Sequence, residues 1–244
     1  MSPFPYALQE DDLPRLGLIV LQVDETIEQD FRRLFPPEVA RLHVSRVPSG
    51  TELTPESIAT METTLPAAAG LLPATRPFEA VGYACTSGTT LIGAARVRGL
   101  VTRATRTRAV TDPLSAALAA CRALGLGRIG IISPYVPSVA DPIRRAFEAA
   151  GIAVPDTLSF GEEIEARVAR IAPASIAEAA RDLARRNRLD GLFLSCTNLR
   201  TLDILDPLAR ELRLPVLSSN RCLAWQMAQL AAMPPPELVQ GPAS

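Results

Sequence analysis

The chain contains no lysine; all 25 of its basic residues are arginine. A pyridoxal enzyme needs a lysine for its Schiff base, so that cofactor is excluded. There is a single histidine, His43. It lies in "RLHVSRV", which alternates like a strand, and it reads as a structural residue. One imidazole cannot build a zinc site that needs several. A Ser-His-Asp triad would have to use His43, and no G-x-S-x-G elbow precedes a helix. No C-x-x-C pair is present, which removes zinc knuckles and thioredoxin-type motifs. No uninterrupted apolar stretch reaches the ~18 residues of a membrane span. The opening "MSPFPYALQEDDLPR" lacks a basic start followed by an apolar run, so no secretory signal is expected. A net charge of −1 gives no reason to expect nucleic acid or a membrane as partner. These absences point to a soluble, cytoplasmic protein whose four cysteines stay reduced.

What is present is a chain of 244 residues, 48% hydrophobic, enough to bury a core in one large or two small domains. After a polar tail, strand-like and helix-like segments alternate. "RLGLIVLQ" (15–22) is a continuous apolar run, as in a buried parallel strand. "DETIEQDFRRLF" puts Ile27, Phe31, Leu34 and Phe35 on one helical face, with Asp24 at the cap position. "RLHVSRV", "AVGYACT" and "TRAVTD" read as further strands, and "LTPESIATMETTL" as a helix capped by Thr54 with Pro55 first. The scheme then repeats. "DPLSAALAACRALG" has Asp112 as cap, Pro113 first and Gly125 as stop. "RIGIISPY", "VPDTLSF", "LDGLFLSC" and "LPVLSSN" are strands separated by "VADPIRRAFEAAG" and "ASIAEAARDLARR", and a last helix runs through Trp225 and Met227. The expected fold is α/β, with two Rossmann-like, flavodoxin-like parallel-sheet halves related by a pseudo-two-fold axis. The expected organisation is a tail over 1–14, a first half over 15–112 plus 214–232, a second half over 113–213, and a mobile Pro-rich tail over 233–244.

One phrase occurs in both halves. "YACTSGTTLIG" carries Cys85 and "LSCTNLRTLD" carries Cys196, each after an apolar lead-in and before small polar residues and a helix. Ligands of parallel sheets bind beyond the carboxyl ends of the strands, where both cysteines fall, so both can reach one cleft. A cysteine opening a helix feels the positive end of its dipole, which lowers its pKa and favours thiolate. Thr86, Ser87, Gly88, Thr89 and Thr90, with Thr197 and Asn198, offer donors that could cradle a carboxylate. Two thiols flanking one carbon suit two reactions. One removes a proton and returns another on the opposite face; the other adds a thiolate to a double bond, allows rotation and eliminates. Neither requires a metal or an organic cofactor. Cys121 and Cys222, within helices, read as inert buried thiols.

These residues resemble the aspartate/glutamate racemase superfamily, and within it the branch of maleate cis-trans isomerase and arylmalonate decarboxylase. The resemblance runs from "LGLIV" to "LPVLSSN", with "ACTSGT" and "SCTNLRTLD" its most specific strings. "GLIVLQVDETIEQDF" and "LSFGEEIEARVARI" look most like the ectoine-utilisation proteins of that branch. The resemblance implies two Rossmann-like halves, a site between them and no cofactor. It matches Cys85 and Cys196 to two catalytic cysteines and Tyr135 to a substrate-contacting tyrosine. Arylmalonate decarboxylases keep only the second cysteine, so the pair argues against decarboxylation. Maleate isomerases place an Asn where Asp24 stands and another near Glu165. Two carboxylates there would repel a dicarboxylate and attract an ammonium. The expected partner is therefore a small carboxylate bearing an amino or acylamino group, bound by Asp24, Thr86, Ser87, Tyr135, Glu165 and Thr197. A plain helix cap for Asp24 and a solvated helix face for Glu165 fit the residues equally well.

Other features are lesser candidates. Thr111, Asp112 and Pro113 read as a helix start, and Ser218, Ser219 and Asn220 as another, with capping enough to explain Asn220. "RVRGLVTRATRTR" reads as a solvated face rather than a phosphate site. The rival readings are a maleate-type isomerase and a binding protein for an ectoine metabolite that has lost catalysis. Homo-oligomerisation is left open by the sequence.

Overall fold

The computed structural model describes residues 3–9, 12–52 and 54–239. It contains two four-stranded parallel sheets. The first is built from β1 (Arg15–Leu21), β2 (Arg41–Val47), β3 (Ala80–Ala84) and β4 (Val110–Thr111), in the order β2-β1-β3-β4. The second is built from β5 (Ile129–Tyr135), β6 (Thr157–Glu162), β7 (Gly191–Leu194) and β8 (Val216–Ser218), in the order β6-β5-β7-β8. The order is the same in both, as the repeated pattern of the sequence predicts. Between the strands run α1 (Ile27–Leu34), α2 (Pro55–Gly70), α3 (Thr86–Ile92), α4 (Ala94–Ala104), α5 (Pro113–Leu124), α6 (Pro137–Ala149), α7 (Glu165–Val168), α8 (Pro173–Arg186), α9 (Leu205–Leu212) and α10 (Ser219–Leu230). Among the described residues no helix is long and apolar enough to cross a membrane.

The strands β1 and β5 are apolar on both faces because helices cover both faces of their sheets. In β1, Leu16, Leu18 and Val20 pack with Phe31 of α1 and Leu223 and Met227 of α10, while Ile19 and Leu21 join Ile58, Met61 and Leu65 of α2. In β5, Ile129 and Ile131 meet α5 and α6, and Ile132 joins the cluster of α8 and α9. That period-two division is what continuous apolar runs such as "RLGLIVLQ" encode. Helix starts follow local chemistry. Thr54 and Ser57 form a reciprocal capping box on α2, and Asp112 caps α5 by accepting the Ser115 N–H at 2.8 Å. Gly125 ends α5 in the left-handed conformation.

Two expectations are corrected. The strand of "LPVLSSN" does not return to the first half: β8 pairs with β7, Leu192 opposite Val216 and Leu194 opposite Ser218. The helix after it is shared. Cys222 and Trp225 of α10 belong to the core under the second sheet, and Leu223, Ala224, Met227 and Ala228 to the core under the first. A helix apolar on two faces can bridge two sheets, and Gly82 lets it approach closely, since a Cβ there would stand 2.6 Å from Met227 Sδ. The C-terminal stretch is not free up to Val239. Met233 and Leu238 are buried, each in one of those two cores. These side chains anchor a segment whose prolines alone suggested a mobile tail. Residues 240–244 of that expected tail lie outside the described residues, as do residues 1, 2, 10 and 11 of the N-terminal one.

Candidate active site

The two cysteine turns meet between the sheets. Cys85 is the N-cap of α3, its backbone extended and its sulfur accepting the Gly88 N–H at 3.1 Å. Gly88 is required there, because a Cβ would lie 2.8 Å from both Cys85 Sγ and Tyr83 Oη. Cys196 follows β7 but opens no helix. Turns continue to α9, which starts only at Leu205. Its φ is 150°, a strained conformation for any residue but glycine. The strain is held by a Cys196 N–H to Ser219 Oγ bond of 3.0 Å and by an Asn198 N–H to Cys196 Sγ bond of 3.2 Å.

Hydrogen bonds tie the two turns together on either side of the sulfurs. Thr197 Oγ1 donates to the Ala84 carbonyl at 3.3 Å, and Thr86 Oγ1 pairs at 2.9 Å with the same Ser219 Oγ that accepts from Cys196. Both cysteines belong to one contiguous core cluster with Tyr83, Tyr135 and Val168, and each is only 3% exposed. Tyr135, at the end of β5, places its hydroxyl 3.0 Å from Cys196 Sγ and 2.7 Å from Glu165 Oε1. The charge of Cys85 also bears on that hydroxyl.

Glu165, in the first turn of α7, is 2% exposed, so the solvated-face reading is overturned. Its main-chain N–H bonds the Thr51 carbonyl, and Glu52 bridges to Ile164, so the loop after β2 covers this corner. Asn198 Nδ2 donates to Glu165 Oε2 at 3.1 Å and to its carbonyl at 3.2 Å. Asp24 is not the N-cap of α1, which is Thr26, but it stands two residues earlier and its Oδ1 accepts the Thr26 and Ile27 N–H groups at 2.8 and 2.9 Å. Its Oδ2 is buried and makes no hydrogen bond, the nearby Thr197 hydroxyl being directed at Ala84. One carboxylate oxygen thus serves the helix and the other is unused.

The expected depression of the thiol pKa values is corrected. Burial pushes Cys85 up to about 12, against the opposing Gly88 N–H and Ser87 hydroxyl, and Glu165 and Asp24 add to the rise. Burial and then the charge of Glu165 raise Cys196 well above the ordinary thiol range. A helix end is visible in a sequence; the depth at which it is buried, and acids brought from elsewhere in the chain, are not. Asp24 and Glu165 are themselves raised, chiefly by burial. The same two carboxylates act on both thiols, which sets all four groups in one low-dielectric volume.

Several expected donors are spent inside the protein. Gly88 N–H serves Cys85, the Thr86 hydroxyl pairs with Ser219, and the Thr90 hydroxyl bonds the Thr86 carbonyl. Ser87 Oγ lies 3.7 Å from Cys85 Sγ, and Thr89 Oγ1 is buried without a partner. Asn220 is not a cap. Ser218 caps α10, while Asn220 Nδ2 bonds Asp30 Oδ2 at 2.8 Å and the Thr197 carbonyl at 2.9 Å. Asn198 is the residue the sequence undervalued, since it joins Glu165, Cys196, the Glu25 N–H and the Thr26 hydroxyl. Its signal was its place in the second cysteine phrase. Cys121 and Cys222 sit in the core under the second sheet, and the His43 ring lies edge-on to Phe78 at 5.4 Å, away from the thiols. Along "RVRGLVTRATRTR" the arginines are exposed, and Arg96 pairs with Glu62.

A family model described as arylmalonate decarboxylase matches residues 35–241. The arylmalonate decarboxylase of Bordetella bronchiseptica is 27% identical over 92% of this chain and 93% of its own. The maleate isomerase of Nocardia farcinica is 25% identical over 90% of this chain and 91% of its own. A cysteine-to-serine variant of that isomerase has been solved with a covalently bound succinylcysteine intermediate; it has a TM-score of 0.77 at 22% identity, covering 91% of this chain and 94% of that one. The maleate isomerase Iso of Pseudomonas putida superposes with a TM-score of 0.82 at 21% identity, over 91% of this chain and 94% of that one.

Proposed function

Because the chain belongs to the arylmalonate decarboxylase family and is an enzyme of that kind, we propose that it is a cofactor-independent racemase or isomerase of a small amino-acid-like carboxylate, with Cys85 and Cys196 as the reacting pair. The observation that carries this reading is the joint burial of two thiols with two carboxylates, one of which keeps an unused oxygen. A buried carboxylate oxygen without a donor is costly. An ammonium group on the substrate would supply that donor, and a second carboxylate would meet repulsion instead. The substrate carboxylate would rest against the Ser87 hydroxyl, 3.7 Å from Cys85 Sγ, and the Thr89 hydroxyl, which is buried without a partner. Thr86 and Thr197 hold the two turns against each other rather than reaching for substrate. With the α-carbon between the sulfurs, one thiolate takes its proton and the opposite thiol returns one on the other face, and the developing enediolate is stabilised by those donors.

The sequence strings shared with ectoine-utilisation proteins suggest 2,4-diaminobutyrate or its N-acetyl form, since ectoine opens to acetylated diaminobutyrate. The test is to incubate the protein with each enantiomer of these compounds in D₂O and follow the α-proton by NMR. Exchange with inversion is expected, and no exchange with any of them would remove the racemase reading.

The relatives favour a second reading, cis-trans isomerisation of the maleate type. The Nocardia isomerase variant carries a covalently bound succinylcysteine intermediate, and this chain has two cysteines, Cys85 and Cys196, in one buried cluster, which supports such an addition. Asp24 and Glu165 oppose it on charge. A maleate-to-fumarate assay decides between the two.

A further inference from the structure

Around Cys196 the hydrogen bonds run in one direction. Both oxygens of Glu165 are acceptors, Oε1 from the Tyr135 hydroxyl at 2.7 Å and Oε2 from Asn198 Nδ2 at 3.1 Å. A phenol has one proton. With that proton on Glu165, the Tyr135 oxygen can only accept from its other neighbour, Cys196 Sγ at 3.0 Å. With Glu165 ionised, the thiol proton then faces Tyr135. Both sulfurs accept a main-chain N–H, Cys196 from Asn198 at 3.2 Å and Cys85 from Gly88 at 3.1 Å, but the side chain beside Cys85 is the Ser87 hydroxyl at 3.7 Å, where Cys196 has the acid-linked Tyr135.

We propose that Tyr135 and Glu165 form a proton relay that activates Cys196. The thiol proton passes to the Tyr135 oxygen as the tyrosine's own proton passes to Glu165 Oε1. Tyrosine ends neutral, Glu165 ends as the uncharged acid, and Cys196 ends as thiolate. One S–H and one O–H bond break, two O–H bonds form, and no co-reactant is consumed. The relay moves a negative charge within the site instead of adding one, so a buried thiolate no longer has to coexist with a buried carboxylate. The other groups facing this line are Asp24, whose charge acts on both Glu165 and Cys196, the amide of Asn198, and Cys85, whose charge reaches Tyr135. Arg46 of β2 bears on Asp24. Tyr135 touches the reacting sulfur and is a catalytic residue; Glu165 acts through it and is a positioning residue. The relay also divides the two acids: Glu165 has no oxygen to spare for a substrate ammonium, and Asp24 Oδ2 does.

The inference rests on the reading that Cys196 is a reacting thiol, but its test needs no substrate, so the two can fail separately. The full-length protein is treated with iodoacetamide across the neutral pH range, and labelling of each cysteine is followed by peptide mass spectrometry. An isolated thiol below its pKa reacts about tenfold faster per pH unit. The relay predicts that Cys196 labels at a level rate across that range while Cys85 in the same sample climbs about tenfold per unit. In Glu165→Gln, Cys196 is expected to climb as Cys85 does, and in Tyr135→Phe, which removes the hydroxyl that bonds the thiolate, the level rate is expected to fall about tenfold or more. A purely structural Glu165 would leave the profile unmoved in Glu165→Gln, because glutamine still accepts from Tyr135. A wild-type Cys196 as steep as Cys85, a level profile surviving in Glu165→Gln, or a Tyr135→Phe protein that labels as fast as wild type overturns the relay. Should one variant fail to fold, the wild-type profile and the other variant decide.

Discussion

The two cysteine turns begin from the same words and end in different surroundings. Cys85 keeps an extended backbone, caps a seven-residue helix and points its sulfur at an amide hydrogen and a hydroxyl. Cys196 is forced to a φ of 150°, opens no helix and has its sulfur against the Tyr135 hydroxyl, which in turn bonds Glu165. The first turn is relaxed and surrounded by donors, whereas the second is strained and connected to an acid. The difference teaches that a repeated fold supplies position and not chemistry. Both strands deliver a thiol to the same buried cluster, and what separates the two is the acid-linked tyrosine brought to Cys196 from outside its turn. Glu165 and Tyr135 come from the second half and Asp24 from the first.

The largest expected effect comes from removing either member of the pair. Cys85→Ser and Cys196→Ser should each lower kcat by about a thousandfold or more, the scale of a lost acid–base group. Cys121→Ala, in the core under the second sheet, should leave steady-state turnover near wild type and cost only about 1 kcal/mol of stability. Next is Gly88→Ala, whose Cβ would stand 2.8 Å from Cys85 Sγ. Displacing that sulfur should lower kcat about 10- to 100-fold and leave the labelling profile of Cys196 unchanged, which sharpens the contrast between the turns. Asp24→Asn should lower kcat/KM for an amino substrate by about 10- to 100-fold, the worth of a charged hydrogen bond, and improve tolerance of a dicarboxylate in competition assays.

The smallest effect concerns stability. Burial raises Asp30 to about 6, the Asn220 hydrogen bond opposing it. A carboxyl whose folded pKa lies above its unfolded value stabilises the fold while protonated. That contribution is complete below about pH 4 and is lost as pH rises through about 6. Asp30→Asn, which keeps an acceptor for Asn220, should therefore raise the Tm at pH 7 by an amount worth at most about 3 kcal/mol, and change it little at pH 4. Thermal denaturation at the two pH values checks this.

Much of the architecture was legible because it is local. Thr54 and Pro55, Asp112 and Pro113, and Gly125 mark helix ends through their own backbones. The apolar runs of β1 and β5 announce strands covered on both faces. The sheet that receives the last strand was not legible, since β8 pairs with β7 through a contact between residues far apart in sequence. The burial of Glu165 was hidden for a similar reason: α7 is four residues long and gives no periodicity, and the loop covering it comes from after β2. The cysteines and Asp24 stand out in the chain itself as candidates, and Tyr135 only through the family resemblance. The direction of the thiol pKa values could not be read there, because burial outweighs the helix end at Cys85.

The central claim is that two sulfurs serve opposite faces of one carbon. It is tested most directly by proton exchange in D₂O with each single-cysteine variant and each enantiomer of the amino-acid substrate taken separately. The account predicts complementary half-reactions, in which Cys85→Ser still exchanges the α-proton of one enantiomer and Cys196→Ser only that of the other. Variants that lose or keep exchange with both enantiomers alike would contradict it.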